Sequence, residues 1–259
     1  MATDNTLLTI PGVWSPTTTA EYARCPYRAK LLRDRWALPG DDDRPYQTMG
    51  NSLNDLLTAW YRGEPQPAVG WQAEGAYSGK RMREVVEWAY DKCRDTFPRD
   101  TMTVVSVDED LNPDPMSAQR WGRPDLVYAQ QGLHVVDWKL RRKQPLDMSR
   151  FDHDWQLWHY AAFAQSLWAH EWGDVVDYSM AFIIVEPTLR MVTHTVPVTQ
   201  ERLLQWQEQA IQLWWRMGSG AAWSQQWTGC NLPYYPCEFA DHCHRGAQLE
   251  QFYVKQERL

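Results

Sequence analysis

The chain has 259 residues, 44% hydrophobic and 23% charged, which is ordinary for a globular protein with one substantial core. Its net charge of −7 and pI near 5.5 exclude a general nucleic-acid coat protein but leave room for a basic groove on one face. No run approaches the roughly 20 apolar residues of a membrane span, and the opening MATDNTLLTIPG lacks the regions of a secretory signal, so a cytoplasmic protein is expected.

In chain order, residues 15–36 carry cap-type and then basic residues, which predicts a helix broken near Pro26. PGDDDRP is a loop, and residues 47–62 read as a helix with Leu53, Leu56, Leu57 and Trp60 on one face. A Gly- and Pro-rich loop at 63–75 leads to a long amphipathic helix in SGKRMREVVEWAYDKCRDTF. Extended segments follow near 102–110, 120–129 and 132–140, the last two joined by a hairpin turn at Gln130, Gln131 and Gly132. Then come a helix near 150–170, strands near 176–185 and 190–196, and a final long helix in TQERLLQWQEQAIQLWWRM. The tail from 224 to 247 has little periodicity but holds three of the five cysteines. This order fits one α/β domain with a mixed sheet. It divides into an N-terminal helical part over about 15–100, a core over 101–200, and a C-terminal helix with a cysteine-rich tail over 201–259.

Two acidic residues, Asp125 and Asp137, stand in otherwise apolar runs. On a strand Asp137 and Lys139 share a face while Trp138 points the other way. If RPDLVYA and LHVVDWKL pair as a hairpin, Asp125 lies beside Asp137, and two such carboxylates repel unless a divalent cation joins them. Oxygen donors of this kind suit magnesium or manganese. A lysine on the same face can orient water or offset charge on a phosphate. A D-x-K triplet alone is common and fits a solvated strand equally well; its company decides the matter.

GRPDLV, VVDWKL and QLWHY, in that order, resemble motifs of the RecB-like nucleases in the PD-(D/E)XK superfamily. The resemblance runs from about Thr17 to the C-terminus and implies a restriction-endonuclease-like core: a central mixed sheet flanked by helices, with the terminal segments joined at a metal cluster. It implies a Mg2+- or Mn2+-dependent deoxyribonuclease, an exonuclease acting on DNA ends or single strands. Asp125, Asp137 and the main-chain carbonyl of Trp138 would hold metal, Lys139 would serve catalysis, and Gln156 and Tyr160 would approach DNA. Asp108 or Glu109 is the nearest candidate for an upstream acidic residue. Where relatives often carry a metal-binding histidine four residues after a glycine, Gly50 is followed by Asn54, an oxygen donor poorer than imidazole. An inactive or weakly active module that grips DNA or a partner is the alternative that Asn54 raises.

Cys25, Cys230, Cys237 and Cys243 could close a [4Fe–4S] cluster or a zinc site. A subset of these nucleases, including the AddB subunit and CRISPR-adaptation nucleases, carries one cysteine before the core and three after it, and so implies the cluster. Members of that kind serve recombination, repair or spacer capture, often in phages, and can have protein partners. Cys93 is expected to be a packing residue; His242 and His244 could replace a thiolate in a zinc site, but solvated side chains are the expectation for them. Arg141, Arg142 and Lys143, and the group Arg24, Arg28, Lys30, Arg33 and Arg35 around Cys25, could neutralise phosphates. Tyr27, Trp138 and Trp155 are candidates for stacking on bases or for the core.

Overall fold

The computed structural model describes residues 25–33, 45–67, 80–109, 122–145 and 147–218, together with 19, 22–23, 36–37, 76–77, 111, 231–232, 235–236, 239, 243 and 254–255. By its internal contacts the chain divides into two compact units, Arg44–Trp206 and Met1–Asp43 with Gln207–Leu259.

The larger unit is built on five strands: β1 (Thr103–Ser106), β2 (Leu126–Ala129), β3 (Leu133–Arg141), β4 (Val175–Ile184) and β5 (Arg190–Pro197). They lie side by side in sequence order. All neighbours are antiparallel except β3 and β4, which run parallel with Asp137 opposite Met180. A parallel pair needs a crossover, and helix α4 (Trp155–Trp172) supplies it. The β2–β3 hairpin turns where expected. Leu126 faces Val136 and Ala129 faces Leu133, while Gln131 and Gly132 take positive φ values of 59° and 130° at the turn.

Alternation along the strands sorts side chains between two layers. Leu126, Tyr128, Val136, Trp138, Leu140, Ala181 and Ile183 form one core with helices α2 (Pro45–Arg62) and α3 (Met82–Thr96), which meets them through Leu53, Leu57, Val85, Val86 and Cys93. On the other face Phe182 packs on Phe151 and Tyr178 on Trp158, with ring centroids 4.9 and 5.3 Å apart. Helix α4 is buried there from Leu157 through Ala164. The result is the mixed sheet flanked by helices that the sequence implied.

Several boundaries moved. The strand expected from residue 120 begins only at Leu126, because Pro124 has no N–H for a ladder. The segment expected over 102–110 stops pairing at Ser106, after a register shift between Val104 and Ser106 and before the left-handed Asp108 at φ 47°. Helix α3 starts at Met82 rather than near Ser78, because Lys80–Arg81 pairs with Ala76–Tyr77.

In the smaller unit, residues 22–23 are helical, Cys25 is not, and helix α1 (Pro26–Arg33) begins at Pro26, so the helix is broken there as expected, at a position where the missing N–H costs nothing. Trp36–Ala37 pairs antiparallel with Val254–Lys255. Trp214, from α5 (Gln200–Gly218), donates its indole N–H to Thr19 Oγ1 at 3.1 Å. Segments distant in sequence are thereby fastened together. Among the described residues no helix is long and apolar enough to cross a membrane.

Candidate active site

Asp137 sits on the α4 side of β3 and is 1% exposed. Its neighbour Trp138 enters the opposite core, stacked on Tyr61 at 6.1 Å and edge-on to Phe97 at 5.5 Å. Trp138 is therefore a core residue rather than a platform for bases. Lys139 returns to the face of Asp137, and its Nζ lies 2.7 Å from Asp137 Oδ2, in charge contact though off the direction of an aligned hydrogen bond. Asp125, one residue before β2, arrives beside them because the hairpin register continues past Leu126–Val136. Its Oδ2 accepts the main-chain N–H of Trp138 at 2.7 Å.

Helix α4 completes the arrangement from the other side. Its N-cap is Asp154, whose Oδ1 accepts the N–H groups of Gln156 at 2.9 Å and Leu157 at 3.1 Å. That cap fixes the first turn, so Gln156 Nε2 donates to Asp137 Oδ1 at 3.3 Å and to the Tyr160 hydroxyl at 2.9 Å. Tyr160 is 5% exposed. Within this chain the Gln156–Tyr160 pair is thus bound to Asp137, one helical turn apart on one face. The sequence reading overlooked Asp154, although an aspartate just ahead of an apolar helical pattern is a start signal.

The electrostatics follow from crowding like charges in a poorly solvated place. Burial raises the Asp125 carboxyl above the ordinary range, and Asp137 raises it further, against the opposing pull of Lys139 and the Trp138 N–H. Burial alone would lower the Lys139 value, yet the Asp137 and Asp125 carboxylates outweigh it and hold the ammonium charged well above its usual range. The Tyr160 hydroxyl is pushed up by burial and then by Asp137, and stays protonated. Lysine is therefore a fixed positive charge here, while the crowding favours the neutral form of Asp125 unless a cation offsets it.

A cleft of about 440 Å³ opens over these groups, lined by Gly50, Asn54, Asp125, Lys139, Arg141 and Gln156 among others. The Oδ1 atom of Asn54 is buried and receives no hydrogen bond, an expensive state for an amide oxygen unless something else satisfies it. Among the described residues no three His, Cys, Asp or Glu side chains converge as a ready-made metal site; the donors here are two carboxylates and an amide. An all-oxygen set of this kind fits a hard divalent cation such as Mg2+ or Mn2+.

Of the other expected residues, Arg141 and Lys143 are exposed at the end of β3, while Arg142 Nε donates to Glu186 at 2.9 Å. Trp155 packs on Trp206 at 5.8 Å. Glu109 is held by Arg62 at 3.7 Å, whereas Asp108 adds to the charge felt by Asp125. The Cys93 thiol is fully buried and pushed up to about 12 by that burial, as expected of a packing residue. Cys25 is buried at the start of α1; two residues on, the hydroxyl of Tyr27 is raised by burial and then by Cys243. Cys230, Cys237, His242, His244, Arg24 and Arg35 lie outside the described residues.

Comparison with known proteins bears on the same region. No curated protein sequence matches the chain. Among solved structures it is similar to a proposed exonuclease from Eubacterium rectale, at 13% identity and a TM-score of 0.48 over 95% of this chain and 90% of that one. It is also similar to the protein SSO0001, at 14% identity and a TM-score of 0.30 over 77% and 75%. The family profile described as the PD-(D/E)XK nuclease superfamily matches residues 13–244. The chain belongs to the PD-(D/E)XK nuclease superfamily.

Proposed function

We propose that this chain is a Mg2+- or Mn2+-dependent deoxyribonuclease, an exonuclease that hydrolyses phosphodiester bonds at DNA ends or in single strands. The observation that carries it is the convergence of Asp125, Asp137 and Lys139 under a cleft that is also lined by Asn54, whose buried side-chain oxygen is unsatisfied. Asp125, Asp137 and Asn54, with the Trp138 carbonyl, would hold the cation, which when bound supplies Lewis acidity toward the phosphate and a water. The chain's own groups do the rest. Lys139, fixed as an ammonium, offsets the charge that accumulates on the phosphoryl oxygens. Gln156 keeps the Asp137 carboxylate in one orientation, and Tyr160 keeps Gln156. Arg141 and Lys143, exposed beyond the site, suit contacts to the DNA backbone that weaken with salt.

The test is incubation of labelled single-stranded and duplex DNA with either cation, beside Lys139→Ala. Release of nucleotides from ends by the parent alone supports the proposal. DNA binding without cleavage in both proteins would replace it with a binding module.

We infer in addition that Cys25, Cys230, Cys237 and Cys243 hold a [4Fe–4S] cluster. The grouping of Met1–Asp43 with Gln207–Leu259 in one unit supports this, as does the influence of Cys243 on Tyr27. Protein purified without oxygen should be brown and contain about four irons and four sulfides per chain. A colourless preparation with one zinc would overturn it.

A further inference from the structure

Asp125 stands outside the ladder that carries the rest of its hairpin. Strand β2 begins at Leu126, and its last pair with β1 is Val127 with Ser106. Pro124, just ahead of Asp125, has no N–H to donate. Two carbonyls of the segment are anchored from the chain beyond β1: Asp108 donates its main-chain N–H to that of Asp125 at 3.3 Å, and Leu111 donates to that of Gly122 at 2.7 Å. Asp108 has φ 47°, a left-handed conformation that costs free energy for most residues other than glycine. Arg123 holds it there by two bonds, through Nη2 to the carboxylate at 2.8 Å and through Nε to the main-chain carbonyl at 3.0 Å. One planar fork thus ties the side chain and the main chain of the same residue.

We propose that Arg123 is a positioning residue for the cation site: by holding Asp108 left-handed it aims the N–H that fixes the Asp125 main chain, and so sets where the Asp125 carboxylate lies. An exposed ion pair by itself does little, and the Arg123 side chain is 54% exposed. This pair differs in its second bond, to a main-chain oxygen, and in the next bond of the chain, which lands on Asp125. The turn is pinned on its other side too, because Arg62 Nη2 donates to the carbonyl of Val107 at 3.0 Å. Asp125 is then held at its main chain by Asp108 and at its side chain by the Trp138 N–H, and a ligand held in this way loses affinity for its metal when a supporting bond goes. Charge and position predict opposite signs. As a nearby positive group Arg123 repels a divalent ion, so its removal would tighten binding if charge governed; as a positioning residue, its removal loosens binding.

This role rests on the cation-binding reading above, and one titration separates their failures. Mn2+ is added to the parent, to Arg123→Ala and to the double variant Arg123→Ala/Asp108→Gly, with the free ion followed by its electron paramagnetic resonance signal and thermal melts run without metal. Arg123→Ala should weaken Mn2+ binding roughly tenfold, while Tm falls by no more than about 4 °C, the scale of an exposed pair. Glycine takes a left-handed φ unaided, so the double variant should recover most of the lost affinity. If Arg123→Ala fails to fold, the double variant decides: affinity near the parent's supports the role, and a loss of roughly tenfold overturns it. No bound ion in the parent would overturn the cation reading and this role with it. Binding by folded Arg123→Ala as tight as the parent's or tighter, or a double variant no better than Arg123→Ala, would overturn the role of Arg123 alone.

Discussion

Lys139 Nζ and Asp137 Oδ2 lie 2.7 Å apart, with 27% and 2% of their side chains exposed. The strand alternation brings them to one face, and among the described residues neither has a closer opposite charge. Lys139→Ala should therefore reduce DNA cleavage by about 10²-fold or more, the scale on which a preorganised charge is missed. It should also destabilise the fold by about 3 kcal/mol, because it leaves a buried carboxylate alone. Thermal melts with and without Mg2+ separate the two effects: the cation should raise Tm more in Lys139→Ala than in the parent.

Asp154 governs the site at one remove. Asp154→Ala removes the cap on Gln156 and Leu157 and should cost about 1 kcal/mol in urea unfolding. Gln156→Leu removes a donor to Asp137 and should weaken Mn2+ binding roughly 10- to 100-fold with little change in Tm. Equal affinity in Gln156→Leu and parent would show that the amide does not orient the carboxylate.

A pH-dependent contribution lies at the opposite end of the hairpin. Burial disfavours charge on His134, but Asp177 Oδ2 at 3.0 Å and the Gln130 carbonyl at 2.9 Å on its two ring nitrogens outweigh it and raise its pKa. A raised value means stability that is fully present below the unfolded pKa of about 6.5 and is lost as pH rises through the folded one. Asp177→Asn should thus lower Tm at about pH 5.5 and scarcely at about pH 9, measured by melts across that range.

Gly132 has φ 130°, and a Cβ there would sit 2.7 Å from Val176 Cγ1 and 3.0 Å from the Asp174 carbonyl. Gly132→Ala should cost about 1–3 kcal/mol through backbone strain and lower the urea midpoint. The acidic pair is at the other end of the hairpin, so cleavage well below Tm should stay near the parent rate.

Much of this was legible because it is local. Alternation put Asp137 and Lys139 on one face, the Gln–Gln–Gly turn aligned Asp125 with Asp137, and the spacing of Gln156 and Tyr160 put both on one helical face. Long-range contacts were hidden. Nothing in the sequence said that Gln156 would bond both Asp137 and Tyr160, or that Asn54, with its oxygen unsatisfied, would line the same cleft as Asp125. The left-handed turn at Asp108, which ends β1 early and presents the aspartate to Arg123, is likewise a tertiary result. Residue types at that point favour several turns equally.

The hairpin that pairs Asp125 with Asp137 also says something about how the molecule forms. Such hairpins close in about 1–10 μs, whereas Asn54 must be brought in from α2 across a long stretch of chain, at a greater entropic cost. During refolding, the two like charges therefore meet before the amide that should join them. A divalent cation present from the first moment would relieve that repulsion while most of the chain is still unformed. Mg2+ added at the start of refolding should then speed recovery, where the same ion added at the end would only stabilise what has already folded.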